Sequence, residues 1–194
     1  QGYKLTGNPA FVGMIPGQIR KEDREKAFKA ADVPSLKGKV ALVTGANIGL
    51  GYSTARFLAQ SGADVVISCR SKTKCAAAAD AINSEIGSKR VTWMLADLSS
   101  LKSVETFSKD FVAKYKKLHI FVPNAGIPGT AELQLTEDKI ESVVQVDHLS
   151  HFLMYMHLEP AILRAAEDGL ARVAVVSSAA AYKANESFPL SEKA

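Results

Sequence analysis

The stretch Thr44-Gly45-Ala46-Asn47-Ile48-Gly49-Leu50-Gly51 decides the fold of this chain. It follows the apolar run 40–43 and opens an amphipathic segment that continues to Gln60. A glycine-rich turn between a buried strand and a helix places backbone N–H groups at the positive end of the helix, where a pyrophosphate binds. Gly45 is expected to permit the tight turn, Gly49 to let the backbone approach a phosphate, and Gly51 to let helix and strand pack closely. A glycine pattern alone is a weak signal, so an ordinary strand-to-helix turn is the alternative.

Beyond this turn the chain alternates between short apolar runs and amphipathic segments. We predict strands at 39–44, 64–69, 91–95, 119–123 and 172–177, and helices at 50–61, 73–86, 101–116, 137–157 and 159–167. The strands are continuous apolar runs, as expected when both faces of a sheet are covered. The alternation predicts an α/β fold, a doubly wound, Rossmann-like parallel sheet with right-handed crossovers.

Composition and charge narrow the class of protein. The chain has 194 residues, of which 47% are hydrophobic and 23% charged, which fits one domain with a substantial core. Most of the formal net charge of +4 lies in residues 1–38, where the charged run 20–26 is mixed in sign. No basic stripe with interleaved aromatics occurs, so nucleic-acid binding is not expected. No apolar run is long enough to span a bilayer, so no transmembrane segment is expected.

The two ends of the chain differ in character. Residues 1–38, rich in glycine and proline, are predicted to be an N-terminal leader with a short helix from Arg20 to Ala31, and residues 39–194 the Rossmann-like domain. The leader has no catalytic chemistry of its own and would pack on the domain or bind another protein. Because the first residue is Gln1 rather than Met, we expect the native start to lie upstream. An intracellular protein is expected, organellar if a targeting peptide was removed.

The chain has two cysteines, Cys69 and Cys75, whose spacing matches no zinc or redox pattern. Cys69 ends a predicted buried strand, so we interpret it as a small core residue. A reducing compartment would fit this interpretation.

From Lys39 to Ser178 the chain resembles the short-chain dehydrogenase/reductase family, most closely its retinol-dehydrogenase-like branch. The resemblance implies an NADP(H) cofactor held by the turn residues Gly45, Asn47, Ile48, Gly49 and Gly51. It also implies that the Rossmann-like fold is incomplete at the C-terminal end, since the family continues with a helix that carries its catalytic tyrosine and lysine. Residues 188–194 resemble the insert that precedes that tyrosine.

The resemblance assigns the remaining cofactor contacts. Cys69 stands where NAD-preferring relatives have an acid, and Arg70 after it suits the 2′-phosphate of NADP. The alternative for Arg70 is a solvated residue at a helix start. Asp97, followed by Leu98, would contact the adenine edge, or cap the next helix, or both. Asn124, Ala125 and Gly126 resemble an element beside the adenine ribose, although Pro123 before them lacks a backbone donor.

The catalytic residues match the family only in part. Ser178 stands at the position of the active-site serine, with a plain turn serine as the alternative. A phenol is a poor base near neutral pH unless a cation stabilises its phenolate, and the family's Tyr-x-x-x-Lys pair occurs nowhere in this chain. Tyr182 lies too close to Ser178 and is interpreted as a loop residue. Asp147 replaces the family's active-site asparagine, and it lacks the amide donor.

The helix around Asp147 contains one further difference from the family pattern and two histidines that resemble metal ligands. Ser150 replaces a family glycine, while His148 and His151 match family histidines. No third ligand with sensible spacing accompanies these histidines, so no metal site is predicted.

Two functions remain open from the sequence. The first is an NADP-dependent oxidoreductase that transfers hydride between NADPH and a carbonyl or alcohol, an apolar one by the resemblance, provided that the full protein supplies the tyrosine and lysine. The second is a catalytically silent relative that serves as a structural or regulatory subunit of a larger assembly. Pro123, Asp147, Ser150 and the long leader favour the second.

Overall fold

The computed structural model describes residues 33–169 and 171–178, within which five strands and four α-helices form. The strands are β1 (Val40–Thr44), β2 (Asp64–Cys69), β3 (Val91–Leu95), β4 (Ile120–Val122) and β5 (Arg172–Val173). The helices are α1 (Gly49–Gln60), α2 (Lys72–Ile86), α3 (Leu101–Lys114) and α4 (Ser150–Ala166), with a π-helical segment, Val144–Leu149, directly before α4.

All neighbouring strands pair in parallel, in the order β3-β2-β1-β4-β5. The chain therefore builds one half of the sheet outward from β1 and then crosses to the other side of β1 for β4. Such a reversal of strand order is the point at which α/β sheets form ligand crevices. The predicted doubly wound parallel sheet is confirmed.

Both faces of the sheet are covered, which explains why its strands are apolar without alternation. Val43 and Ile67 face the side covered by α1 and α2, whereas Leu42, Val66 and Phe121 face the side covered by α3 and α4. Each of these side chains is at most 1% exposed. Successive strand residues point to opposite faces, so burial on both faces requires an apolar residue at every position.

Serines at the helix starts set the boundaries of α2 and α3. The Ser71 hydroxyl accepts from the N–H of Lys74, and the Ser100 hydroxyl accepts from the N–H of Ser103. Each satisfies one N–H group that has no partner within its helix. Gly87, with φ of 65°, ends α2 in the left-handed conformation that glycine adopts readily.

The predicted helices at 137–157 and 159–167 together end close to the end of α4, at Ala166, but the predicted start at 137 is wrong. Residues 136–140 form a turn in which Lys139 has φ of 63°, and the Glu141 carboxylate accepts from the N–H groups of Val143 and Val144. These bonds lower the pKa of Glu141, and they place the helix start several residues later than predicted.

The predicted break before residue 159 is also wrong, because α4 runs through Pro160. Proline removes one hydrogen bond from a helix. Pro160 and Met156, whose carbonyl loses its donor, both lie on the exposed side of α4, where water can take the donor's place.

The fifth strand is assigned to two residues, although its backbone pairing continues. The N–H groups of Ala174 and Val176 donate to the carbonyls of Phe121 and Pro123, so the chain lies along β4 as far as Val176. This agrees with the predicted strand at 172–177. The predicted helix from Arg20 to Ala31 lies outside the described residues.

Across residues 33–169 and 171–178, none of the helices combines the length and the apolar character that crossing a membrane requires.

Candidate functional site

A cleft of about 400 Å³ opens at the carboxyl ends of β1 to β4. This is the edge of a parallel sheet at which ligands bind. Its lining contains most of the residues that the sequence predicts to hold a cofactor. The lining consists of Gly45, Asn47, Ile48, Ser68, Cys69, Arg70, Ser71, Lys74, Ala96, Asp97, Leu98, Ser99, Asn124, Ala125, Gly126, Ile127 and Val146.

The glycine turn at the floor of the cleft is shaped by close backbone contacts. Gly45 has φ of 62°, and a Cβ there would lie 2.8 Å from the Cα of Ala125. A Cβ on Gly51 would lie 2.5 Å from Nδ2 of Asn124 and 2.9 Å from the Cα of Ala46. Gly45 and Gly51 are therefore required by packing within the protein, which agrees with the roles predicted for them.

Gly49 differs from the other two glycines of the turn. It has φ of 62°, but a Cβ built on it would meet nothing within 4 Å in the described protein. Gly49 begins α1, whose start has neither a side-chain cap nor an acidic residue in its first turn among the described residues. The open space therefore lies at the uncompensated positive end of a helix, which suits a phosphate.

The end of the cleft beyond β2 is basic. Arg70, an exposed residue, and Lys74 both line it, and Arg70 has no ion-pair partner among the described residues. An unpaired guanidinium is well suited to a phosphate, because its fork of N–H donors matches two phosphate oxygens.

Asp97 organises its own loop and does not cap α3. Its Oδ1 accepts from the N–H of Ser99 at 2.9 Å and from the Ser99 hydroxyl at 2.6 Å, while its own N–H donates to the Ser103 hydroxyl at 3.0 Å. The interpretation of Asp97 as a helix N-cap is wrong, since Ser100 holds that position. Its Oδ2 accepts nothing from the described residues and remains an acceptor for a ligand.

A buried network, which the sequence did not reveal, supports the other side of the cleft. The Thr44 hydroxyl accepts from the N–H groups of Asn124 and Ala125, each at 2.9 Å, and lies 2.8 Å from Nε2 of His151. The Asn124 amide in turn donates to the carbonyl of Thr44 at 2.8 Å. The network joins β1, the loop after β4 and α4.

The donor count in this network assigns the protonation state of His151. Because the Thr44 oxygen accepts twice, its single proton is donated to Nε2 of His151, and the imidazole proton resides on Nδ1, facing the Asp147 carbonyl at 3.3 Å. Burial lowers the pKa of His151, against the opposing effect of Asp147, and so favours this neutral form.

Two residues near the start of α4 that depart from the family pattern have structural contacts. Asp147 accepts the N–H of Ile127 at 2.9 Å through Oδ1 and thereby holds the loop after Gly126. An N–H donor needs only an acceptor, so a carboxylate performs this task as an amide carbonyl would. The buried Ser150 donates its hydroxyl to the carbonyl of Leu98 at 2.6 Å, which ties α4 to the Asp97 loop.

The groups expected for catalysis do not come together in this cleft. Ser178 is exposed beyond β5 and does not line the cleft. Tyr52 donates to Glu85 and Tyr155 to Glu159, and these carboxylates raise the pKa of both phenols, the opposite of what a general base needs. Tyr182 lies outside the described residues. Within the described part of the chain, no three His, Cys, Asp or Glu residues are grouped as metal ligands.

The structure corrects the interpretation of the cysteines. Cys69 is buried at the end of β2, as predicted, but it forms a disulfide with Cys75 and so is not an independent thiol. Cys75 lies on the face of α2 that carries Ala78 and Ile82 into the core. That face was the available signal, since it points Cys75 at the strand that Cys69 ends.

The chain is similar to a known family and to several known proteins. A model of the family described as short chain dehydrogenase matches residues 39–190. Retinol dehydrogenase 12 from Homo sapiens is 39% identical over 181 residues, covering 91% of this chain and 54% of that protein. The WW domain-containing oxidoreductase from Gallus gallus is 39% identical over 176 residues, covering 91% of this chain and 41% of that protein. The chain thus spans about half the length of the curated relatives it matches.

Solved structures share the fold. The Pseudomonas aeruginosa RhlG/NADP active-site complex superposes with a TM-score of 0.64 at 33% identity, over 74% of this chain and 56% of that one. A metagenomic short-chain oxidoreductase in complex with NADP superposes with a TM-score of 0.62 at 26% identity, over 74% of this chain and 64% of that one.

Proposed function

Because this chain belongs to the short-chain dehydrogenase family of oxidoreductases, we propose that it binds NADP(H) in the cleft at the carboxyl edge of its sheet. The observation that carries this proposal is the pairing of two features along one cleft. Among the described residues, the start of α1 has no side-chain cap and a Cβ on Gly49 would meet nothing, which suits the pyrophosphate. Within the same residues Arg70 has no ion-pair partner, and together with Lys74 it suits the 2′-phosphate.

In this proposal the predicted cofactor-binding residues contact different parts of the nucleotide. The N–H groups of the turn that contains Asn47, Ile48 and Gly49 hold the pyrophosphate, and Arg70 binds the 2′-phosphate. Asp97 and Leu98 border the adenine. The segment 124–126 forms the wall beside the adenine ribose and is held there by Thr44.

We propose further that the whole protein reduces or oxidises an apolar carbonyl or alcohol. The nicotinamide supplies or accepts the hydride when it is bound. Ser178 would orient the substrate oxygen, and a tyrosine with a lysine partner would move the proton. The similarity to a human retinol dehydrogenase supports the apolar substrate class.

Nucleotide titration tests the cofactor proposal. We expect calorimetry to give tighter binding of NADPH than of NADH. Arg70→Ala should weaken NADPH binding by about 1.5–3 kcal/mol, the range of a hydrogen bond to a charged group, and leave NADH binding nearly unchanged. Lys72→Ala is the matched control, because Lys72, the first residue of α2, is a cation two positions after Arg70 that does not line the cleft. Equal affinities for the two nucleotides would refute the preference for NADP(H).

A second candidate function is a catalytically silent subunit that binds the nucleotide and another protein, with the leader 1–38 as the contact. Its support is Asp147 at the active-site asparagine position, where the carboxylate lacks the amide donor. A polypeptide of residues 1–194 should bind NADPH without oxidising it across a panel of carbonyl compounds. Turnover by the native protein would favour the enzyme, whereas binding without turnover in the native protein would favour the subunit.

A further inference from the structure

The disulfide lies at the basic end of the cleft. Cys69 is the last residue of β2 and lines the cleft, and Cys75 lies in the first turns of α2. The bond closes a loop of five residues, 70–74, of which Arg70, Lys72 and Lys74 are cations. The crosslink therefore spans the segment that would recognise the ribose 2′-phosphate.

The two cysteines share one core cluster but differ in exposure. Cys75 is 0% exposed and packs with Ala78, Ala79 and Ile82 of the same helix in the core between α2 and the sheet. Cys69 is 8% exposed and borders the cleft. A reductant that enters the cleft would therefore approach the bond from the side of Cys69.

Opening the bond would move the short segment around Arg70, between the end of β2 and the start of α2, and leave the helix in place. Two thiols cannot remain at bonding distance, so their sulfurs must separate after reduction. Both cysteines belong to one core cluster, but Cys75 is enclosed by α2, whereas Cys69 ends β2 and borders the cleft. A close-packed core resists displacement of Cys75, so the movement falls on the Cys69 side chain and on Arg70 after it. Arg70, the residue directly after Cys69, would lose its fixed position.

We propose that the Cys69–Cys75 disulfide is a redox switch that sets the affinity of this cleft for the 2′-phosphate of NADP(H). The oxidised form holds Arg70 on the same side of the cleft as Lys74, which α2 fixes in both states. The reduced form leaves Arg70 free and must order it on binding, which weakens the affinity. This inference rests on the proposed function.

The reduction is a two-electron exchange with a dithiol. A thiolate of the reductant attacks the sulfur of Cys69, forms a mixed disulfide and expels the thiolate of Cys75, which takes up a proton. The second thiol of the reductant then attacks the reductant's first sulfur, which is bonded to Cys69 in the mixed disulfide. This step forms a disulfide within the reductant and releases the thiolate of Cys69, which takes up a proton.

The free-energy coupling between disulfide formation and NADP⁺ binding can be measured in two independent ways, as a ratio of affinities and as a shift in midpoint potential. If the oxidised form binds NADP⁺ tenfold more tightly than the reduced form, NADP⁺ must stabilise the oxidised form by the same factor. For a two-electron couple, a factor of ten corresponds to a shift of about 30 mV in the midpoint potential of the cysteine pair, towards more negative values.

The experiment compares the oxidised and reduced full chain by calorimetry with NADP⁺ and NAD⁺. Intact mass and thiol titration confirm each state, and the titration is simple because the chain has only these two cysteines. We expect the Kd for NADP⁺ to rise about tenfold on reduction, while the Kd for NAD⁺ stays within about twofold. The midpoint potential, measured in glutathione buffers, should shift on saturation with NADP⁺ and not on saturation with NAD⁺.

Cys75→Ala is the variant control, with folding checked by circular dichroism. It should bind NADP⁺ as weakly as the reduced protein does, with or without reductant. Reoxidation of the reduced wild-type protein should restore tight binding and serves as the test if this variant does not fold. An NADP⁺ affinity that reduction leaves unchanged would overturn the switch while leaving the proposed function intact.

Two other outcomes also contradict the switch. Equal weakening of NADP⁺ and NAD⁺ would show that the bond supports the whole cleft and not the phosphate loop. The absence of nucleotide binding in both redox states would overturn the switch and the proposed function together.

Discussion

The three glycines of the turn differ in how closely other atoms pack against them. Gly45 and Gly51 are held against Ala125 and Asn124 at distances that no Cβ tolerates, whereas Gly49 faces open space. Substitution at the first two should therefore damage the fold, and substitution at Gly49 should damage ligand binding. Gly49 is the one position of the three at which function can be tested apart from packing.

Gly49→Ala should weaken NADPH binding by tenfold or more while the protein stays folded. The added methyl group would occupy the space that a pyrophosphate needs. Alanine in the left-handed conformation of residue 49 also costs about 1–2 kcal/mol of stability. Gly87→Ala is the matched control, since Gly87 has φ of 65° and equally open space but lies away from the cleft. Chemical unfolding and nucleotide titration of both variants test this. If both variants bind NADPH as the wild type does, the turn has only a structural role.

At the scale of elements, the cleft is held open by contacts between segments that are far apart in sequence. Thr44 at the end of β1 connects the loop after β4 with His151 of α4, 107 positions away. Ser150 of α4 holds the carbonyl of Leu98 in the loop before α3. The helix that begins at Ser150 thus fixes two walls of the cleft.

Thr44→Val should destabilise the protein by about 2–5 kcal/mol. The substitution keeps the shape of the side chain but leaves the N–H groups of Asn124 and Ala125 without an acceptor, and a buried unsatisfied group costs about 1–3 kcal/mol. Thr44→Ser keeps the hydroxyl and should lose about 1 kcal/mol, the contribution of one buried methyl group. Urea unfolding of both variants measures the two losses in the free energy of unfolding. Equal losses would mean that the methyl group, and not the hydrogen bonds, supports the site.

At the scale of the whole molecule, two buried histidines link β1 to the second half of the sheet. His151 holds the Thr44 hydroxyl at the carboxyl end of β1, and Nδ1 of His119 accepts the N–H of Val40 at 3.0 Å at the opposite end. Burial lowers the pKa of both, and for His119 the charge of Lys39 adds to burial while Asp168 opposes it. Both histidines therefore favour the neutral form in the folded protein.

Stability should fall as the pH drops below about 6.5. In the unfolded chain a histidine titrates near 6.5, whereas both pKa values are lower in the folded state. Below about pH 6.5 the unfolded state thus binds more protons than the folded state. As the pH falls, the free energy of unfolding therefore decreases, by up to about 1.4 kcal/mol per pH unit for each histidine. Asp168, whose pKa is lowered by Lys117, titrates in a more acidic range and does not enter this window.

Urea unfolding at pH 7.5, 6.5 and 5.5 measures this dependence. The double variant His119→Asn, His151→Gln keeps an acceptor at each site and should lose most of the slope. His148→Gln, at an exposed histidine, is the control and should keep it. A wild-type free energy of unfolding that is constant across this range would contradict the assignment of neutral imidazoles.

The sequence by itself determined the architecture and the position of the cleft. Continuous apolar runs report burial on both faces of a sheet, and alternation with helices leaves few topologies, so the strands and the turn 44–51 were predicted close to their observed places. The start of this helical region and its continuity through Pro160 were not, because a turn at 136–140 and a helix that tolerates an exposed proline depend on which side of the chain faces water.

Only the tertiary structure decided which distant polar groups meet. The contacts of Thr44 with His151, of Asp147 with Ile127 and of Cys69 with Cys75 follow from how helices pack on the sheet. Periodicity in a sequence reports whether a residue is buried, but the partner of a buried polar group is set by the elements that close over it. For this reason the sequence located the glycine turn that we propose to bind a phosphate, whereas the structure was needed to find the disulfide near it.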